Sequence, residues 1–471
     1  MLNAKQLEAS FSKISELATK DGTEAELLVE SGDSLQLAVS EGKLEKYASS
    51  NSRVGGIRVV LNGVEGYCWT ESLEDADLAA AYREAFENAK FATRGRTDDQ
   101  LKDEAVELYR ATVPVEEDSK LFNESLAQIP IETKIERALQ IEQKTKAVDP
   151  RISSVPYNSY GESSGESFIF NTRGVRAHQR RTSVSGYSYC LAKQGEESRM
   201  GGDSFFTRDS FKVGTSVIDE VARSAGERAL GKLGASSPET GRYPIVIDRE
   251  IVAEVFGLIV GYFSAKSIAE RTSIFGSMNE KTGTPETELG KLIASPLLTL
   301  VDDPNLEDGV GNRTFDAEGA PAKRTELVRD GVLNSFLTNS VYAKKLNLPH
   351  TASAARSARS ELDIGTSNLV LEAGTSSFQE LLKSHPKLIY VTDFTGYHAG
   401  FREGSGEFGF QSEGELWENG QRVKALCNFV VAGSIRELLM NIEMISSRMT
   451  KKKSSVLAPD LLISSLSVAG V

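Results

Sequence analysis

The sequence predicts an α+β protein: an N-terminal α+β region of mixed strands and helices, residues 1–234, followed by a β-rich C-terminal part, residues 242–471. Three observations carry this. Alternating strand pairs flanked by helical patterns occur twice, in 1–93 and in 131–234. A small, polar run with a proline in its middle, from Ala235 to Gly241, separates these two units from the C-terminal part. Beyond it, short apolar runs broken by Asp-Gly and glycine-rich turns take over from the longer helices.

Residues 4–20 place Leu7, Phe11, Ile14 and Leu17 on one helical face. Segments 24–30, 34–40 and 43–50 alternate as strands, with Gly32-Asp33 and Glu41-Gly42 as turns. Segments 55–61 and 66–70 make a further hairpin about Asn62-Gly63, and a helix spans 74–90. Residues 94–130 are charged, hold Pro114 and Pro130 and show no periodicity, so they read as a connector of limited local order. Residues 131–148 then form a helix. Segments 153–160, 166–171 and 175–192 are strands with Thr172-Arg173-Gly174 as a turn, and 214–234 is a helix closed by Gly234. Strands, a Gly-Tyr element ending in cysteine (66–68, 186–190) and a helix recur in that order, which suggests a duplicated unit.

In the C-terminal part, 244–248 is a short strand that feeds a helix over 249–265. Its residues Ile251, Val252, Val255, Phe256, Ile259, Val260 and Phe263 form one broad apolar face. Strands come next at 297–302, 324–329 and 332–337, the last two a hairpin about Asp330-Gly331. Further strands fall at 368–372, 388–391 and 428–431, and short helices at 378–384 and 435–442.

The net charge of −13 argues against nucleic acid as a partner, because phosphate binding needs a basic face. Cys68, Cys190 and Cys427 are scattered and odd in number, which excludes a disulfide framework and a Cys-x-x-Cys zinc site. The first 20 residues are amphipathic and lack a signal peptide's apolar region, and no apolar run reaches the ~18 residues of a membrane span. These features point to the cytoplasm. His178, His350 and His385 lie far apart with no ligand spacing, so a separate zinc site is not expected. Glu250 and Glu254 suit a helix start. Asp302, Asp303 and Asp308 read as a solvated acidic loop.

Several stretches carry a resemblance. The core helix followed by Glu270-Arg271-Thr272-Ser273, the run Asp316-Ala317-Glu318-Gly319-Ala320-Pro321 with its later Asp-Gly-Val-Leu, the glycine-rich loop and hairpin 395–420, and Ser455-Val456-Leu457-Ala458-Pro459 together resemble the TldD/PmbA family, also called TldD/TldE or modulators of DNA gyrase. The resemblance implies a β-rich TldD/PmbA-type C-terminal domain. In that family's TldD branch a His-Glu-x-x-x-His motif on this helix, with a later cysteine, holds zinc. Here the motif falls on 257–262, with Gly257, Leu258 and Tyr262 at its three key positions and Lys453 at the cysteine's place. Glycine offers no donor, leucine no base, and an ammonium has no lone pair. The chain therefore resembles the PmbA/TldE branch, without catalytic or metal-binding residues of its own. Histidines five apart sit about 140° apart on a helix, so their convergence needs a distortion that Gly257 and Gly261 would tolerate.

The resemblance implies a non-catalytic subunit that assembles with a TldD-like catalytic chain, or with itself as a homodimer. Zinc is then expected only on the partner, and the substrates are unfolded or leader peptides. The glycine-rich 395–414 is the candidate peptide contact through sheet-edge pairing, with Thr395, Gly396, Tyr397, His398, Gly404 and Gly406 as candidate residues. Two alternatives stand beside this: a self-associating peptide-binding protein without a peptidase partner, and an autonomous metalloprotease using other ligands.

Overall fold

A computed structural model describes residues 2–94, 105–113, 115, 118–279, 281 and 284–470. The two N-terminal units do not fold apart. They build one six-stranded antiparallel sheet of β1 (Glu24–Ser40), β2 (Lys43–Leu61), β3 (Val64–Thr70), β4 (Ile152–Asn171), β5 (Arg176–Gln194) and β6 (Glu197–Thr207). The order is β3-β2-β1-β4-β5-β6, so each unit supplies three strands and the units meet where β1 pairs with β4.

The sequence suggested breaks at Gly32-Asp33, between 50 and 55, and between 160 and 166. The strands run straight through all three. Gly32 pairs with Ser52 on one side and Gly165 on the other, so both of its edges are occupied and no turn can form. The misleading signal is a polar stripe. Ser34 bonds Ser50 and Ser163 bonds Ser183 across the strands, at the strand centres between the helix pairs that cover their ends. Helices α1 (Ala4–Asp21) and α2 (Asp75–Ala92) bury Phe11, Ile14 and Tyr82 against Leu27, Val59 and Phe168. Helices α3 (Ile131–Lys146) and α4 (Thr215–Gly231) bury Ile141, Ile218 and Val221 against Leu37, Tyr160 and Val184. Strand β6 went unassigned in the sequence because Gly201 and Gly202 interrupt its alternation. The connector is more ordered than its composition suggests. Leu108 is buried, Val106 N–H donates to Gly63 O, and Ser125–Gln128 is helical. Residues 95–104, 114, 116 and 117 of the connector lie outside the described residues.

The opposite face of the sheet meets the C-terminal part. Gly56 belongs there because a side chain would collide with Ala358 O, 2.4 Å from an added Cβ. Buried charges tie the layers together: Arg58 (2% exposed) lies 3.7 Å from Glu26 and 3.5 Å from Glu318, both 0% exposed, and Arg356 pairs with Glu26.

The C-terminal part is built on five strands: β7 (Gly241–Ile247), β8 (Lys387–Thr395), β9 (Glu407–Glu418), β10 (Gln421–Ser434) and β11 (Pro459–Gly470). Their pairings run β8-β7-β11-β10-β9 and then return from β9 to β8, which closes a small barrel. Closure decides one expectation. Glu407 to Ser412 and Gly414 of β9 pair with β10, and Gln411 to Gly414 also pair with β8, so the end of the glycine-rich stretch at 411–414 offers no free edge for a peptide. Helix α5 (Arg249–Ile259) packs on the barrel through Ile251, Val252, Val255, Phe256 and Ile259, which share one core with Ile247, Val391, Phe429 and Leu461. The α-helix stops six residues short of its expected end and tightens into a 3-10 turn over Val260–Phe263. In the hairpin about Asp330-Gly331 the second strand covers only Val332–Leu333, because Asn334 and Ser335 both donate to Leu327 O. Among the described residues no helix is long and apolar enough to cross a membrane.

Candidate functional site

A cavity of 860 Å³ opens between the two parts of the molecule. Its walls are the helix-free face of β5 (Tyr187, Tyr189), the edge strand β6 (Gly201–Ser204), α4 (Arg228, Lys232 just beyond it), the first turns of α5 (Glu250, Glu254, Gly257) and the segment around Lys453. Seven carboxylates and four cationic side chains line it.

Lys453 organises one wall. Its ammonium sits 3.1 Å from Glu250 Oε2 and bonds Asp203, and all three side chains are largely buried. Burial alone would push the Asp203 carboxyl up, but the Lys453 ammonium, the Ser224 hydroxyl and the Ser204 N–H hold it below its ordinary value. On the opposite side Lys232 bridges Asp393 and Glu413, each at 2.7 Å. Asp248 caps α5 by accepting Glu250 N–H at 2.9 Å and also takes the Tyr390 hydroxyl. Two charged groups are left over. Glu254 has a hydrogen bond from Tyr397 Oη at 2.7 Å but no ion pair, and Arg228 has no ion pair among the described residues. Burial pushes the Glu254 carboxyl up, against the Tyr397 hydrogen bond.

The structure brings together two of the four positions at which the sequence resemblance placed lost ligands. Gly257 and Lys453 both line the cavity; Leu258 and Tyr262 do not. Leu258 is exposed elsewhere, and Tyr262 is 3% exposed, packed on Phe275 and Phe401 with its hydroxyl donating to Glu403 O. The reason is geometric. The cavity takes the first turns of α5, through Glu250, Ile251, Ala253, Glu254 and Gly257, and positions 258 and 262 lie beyond them, the second in the 3-10 turn. Burial pushes the Tyr262 phenol up to about 12, which further removes it as a ligand. Close packing does not explain the glycines. A Cβ at Gly257 would meet only Val456 Cγ2, at 3.6 Å, and one at Gly261 would meet nothing within 4 Å.

The peptide-contact candidates also lie off the cavity. Thr395, Gly396 and His398 are exposed on the outer surface, and Gly404 and Gly406 lie in the loop before β9. Only Tyr397 reaches inward, through Glu254. The residues missed from sequence are Tyr187, Tyr189, Asp203, Arg228 and Lys232. The alternation of Tyr187 and Tyr189 beside Gly186 was the one local signal for them.

The donors around this cavity do not fit zinc. No histidine or cysteine lines it among the described residues, and the Lys453 ammonium occupies the space between the two nearest carboxylates. One other ligand-type group exists among the described residues. Asp316 and Glu318, two positions apart in the chain, are joined by the distant His350. Their acceptor atoms are engaged within the protein, except that His350 Nε2 is buried without a hydrogen-bond partner among the described residues, 3.7 Å from Glu318 Oε2. Asp316 accepts Glu318, Ala320 and Ala354 N–H, Glu318 accepts the Ser340 N–H and hydroxyl, and His350 Nδ1 accepts Ala352 N–H. That group fastens a loop beneath the sheet. Asp302 is likewise no part of a solvated acidic loop: it is 2% exposed and holds the Ser367 N–H and hydroxyl at 2.7 and 2.8 Å.

The chain matches the PmbA/TldA metallopeptidase profiles throughout: domain 1 over residues 25–89, the central domain over 124–233 and the C-terminal domain over 240–470. The chain belongs to the PmbA/TldD family. Within it, a metalloprotease of Methanothermobacter thermautotrophicus is 27% identical over 87% of this chain and 85% of its own length. The metalloprotease PmbA of Escherichia coli O157:H7 is 24% identical over 99% of this chain and 96% of its own length. The TldE crystal structure from Thermococcus kodakarensis shares the fold, with a TM-score of 0.83 at 19% identity over 98% of this chain and 100% of its own. A second PmbA/TldD-type fold, a Thermotoga maritima protein described as a modulator of DNA gyrase, superposes with a TM-score of 0.85 at 22% identity over 98% of this chain and 100% of its own.

Proposed function

We propose that this chain is the non-catalytic, TldE/PmbA-like subunit of a TldD/TldE-type peptidase. It pairs with a TldD-type chain that carries the zinc, and its main cavity holds an unfolded or leader-type peptide. The observation that carries this reading is Lys453. An ammonium clamped between Asp203 and Glu250, beside the side-chain-free Gly257, supplies a fixed positive charge where a hydrolytic metal would need lone pairs. The barrel closes the edge first expected to take the peptide. Strand β6 is the better candidate, since it is the terminal strand of its sheet and Gly201 to Ser204 face the cavity. An extended chain laid there would gain backbone hydrogen bonds, with Tyr187 and Tyr189 as apolar platforms.

The test is co-expression with a TldD-type chain bearing His-Glu-x-x-x-His, in the cytoplasm of a bacterial host. The two should co-purify, zinc should follow the partner chain, and hydrolysis of an unfolded peptide should need both. Without the partner we expect a homodimer. Peptidase activity of this chain alone, abolished by a chelator, would overturn the reading, as would failure of the chains to associate.

A further inference from the structure

Three arginines converge on the helix-free face of the N-terminal sheet, away from the main cavity. Arg181 of β5 lines two adjoining hollows, of 540 and 470 Å³. Arg313 lines the first and Arg208 the second. Arg208 is held rigidly, donating to Thr182 O at 3.1 Å, Gly309 O at 2.9 Å and Val310 O at 3.0 Å. Arg313 Nη2 donates to Ala352 O at 3.1 Å while its Nε is buried without a partner. Arg181 has neither an ion pair nor a hydrogen bond among the described residues, and its Nε is buried and unpartnered. Burial and the neighbouring Arg208 and Arg313 push its guanidinium down to about 10, against the pull of Glu30. None of the three has a carboxylate within ion-pair distance among the described residues. The second hollow is otherwise walled by Asp33, Phe206 and small polar groups, among them Ser52, Ser164, Ser183 and the backbone at Gly32 and Gly165, while Glu30, Glu166 and Asp316 line the first.

Like charges gathered in a partly dry site with buried donors unused destabilise a fold unless something answers them. The fork of a guanidinium matches two oxygens of one anion, and serine hydroxyls and glycine backbone let such a group approach closely. We infer that Arg181, with Arg208 and Arg313, forms a binding site for an oxyanion, a carboxylate or a phosphate, carried by a ligand. This site stands apart from the peptide-holding reading and does not depend on it. The group has two possible sources, a small phosphate-bearing molecule and the C-terminal carboxylate of a peptide. The second is within reach of the main cavity. Arg181 and Tyr187 share one face of β5 six residues apart, about 20 Å, the span of roughly six extended residues.

The full chain is titrated by calorimetry with sodium phosphate, with N-acetyl-trialanine as the free acid, and with the same peptide as its C-terminal amide. Ionic strength is held constant with sodium chloride. Saturable binding of phosphate, of the free acid, or of both is expected, with none of the amide. Arg181→Gln should weaken that binding at least about tenfold, the loss of a charge-assisted fork, and Arg181→Lys should weaken it less. With no ion pair or hydrogen bond of Arg181 to lose among the described residues, Arg181→Gln should melt no lower than the unaltered chain. Phosphate alone identifies a phosphate-bearing ligand, and the free acid alone a peptide end. No saturable binding of either probe, equal binding of acid and amide without phosphate binding, or equal affinity in Arg181→Gln overturns the inference. Should Arg181→Gln fail to fold, unchanged affinity of Arg181→Lys for every probe that binds overturns it.

Discussion

Replacing Lys453 by methionine keeps the length of the side chain and deletes its charge. Asp203 and Glu250 then face one another without a cation within ion-pair distance among the described residues, with Asp203 only 2% exposed at its side chain and Glu250 17%. Breaking a buried pair by removing one partner costs about 3–5 kcal/mol. The pH dependence separates this cause from lost packing. In the unaltered protein the Asp203 carboxyl titrates below its ordinary value of 3.8. Its ion pair therefore adds stability that is full above that ordinary value and is lost as pH falls through the lowered one. In Lys453→Met burial is opposed only by the Ser224 hydroxyl and the Ser204 N–H, and the folded-state value rises. The penalty is then full near neutrality and is relieved as acid protonates the carboxyl. Urea unfolding followed by circular dichroism should show the full deficit at pH 7.5 and a clearly smaller one at pH 5. Adding Asp203→Asn should recover most of the loss at pH 7.5. A deficit under about 1 kcal/mol at pH 7.5, or one equal at both pH values, would refute the assignment of Lys453 as the cation that neutralises this wall.

Tyr262→Ala removes a core aromatic that touches Phe275 and Phe401 and should cost about 3–5 kcal/mol by the same urea assay. The pair Gly257→His and Tyr262→His should not take up zinc by elemental analysis, because only the first of these positions faces the cavity. Arg58→Leu leaves buried Glu318 with only the His350 ring at 3.7 Å and strips one of the two cations from Glu26, so a loss of about 3–5 kcal/mol is expected in chemical denaturation. In a thiol titration of the folded protein, Cys68 should react first. Cys190, with its thiol pushed up to about 11 by burial, and the buried Cys427 should react only on unfolding.

Periodicity and turn chemistry are local, and the features they govern were legible in the chain. The apolar faces of α1 and α5, the turns at Glu41-Gly42, Asn62-Gly63 and Asp330-Gly331, and the repeated order of strands and helices arise from residues within a few positions of each other. So does the α+β class. The TldD/PmbA family resemblance was legible too, because its motifs are short and contiguous.

Pairing between distant strands decided the rest. Nothing near Gly32 says that Ser52 and Gly165 will occupy both its edges and carry one strand through an expected turn. Nothing near Gly414 says that Val391 and Leu426 will occupy both its edges as the barrel closes and remove the edge a peptide was expected to use. The site was harder still, since its charges belong to segments some 50 to 250 residues apart and only packing brings Lys453 to Asp203 and Glu250. A motif aligned by spacing treats a helix as uniform. The 3-10 turn after Ile259 rotates Tyr262 into the core and leaves Gly257 alone on the cavity wall.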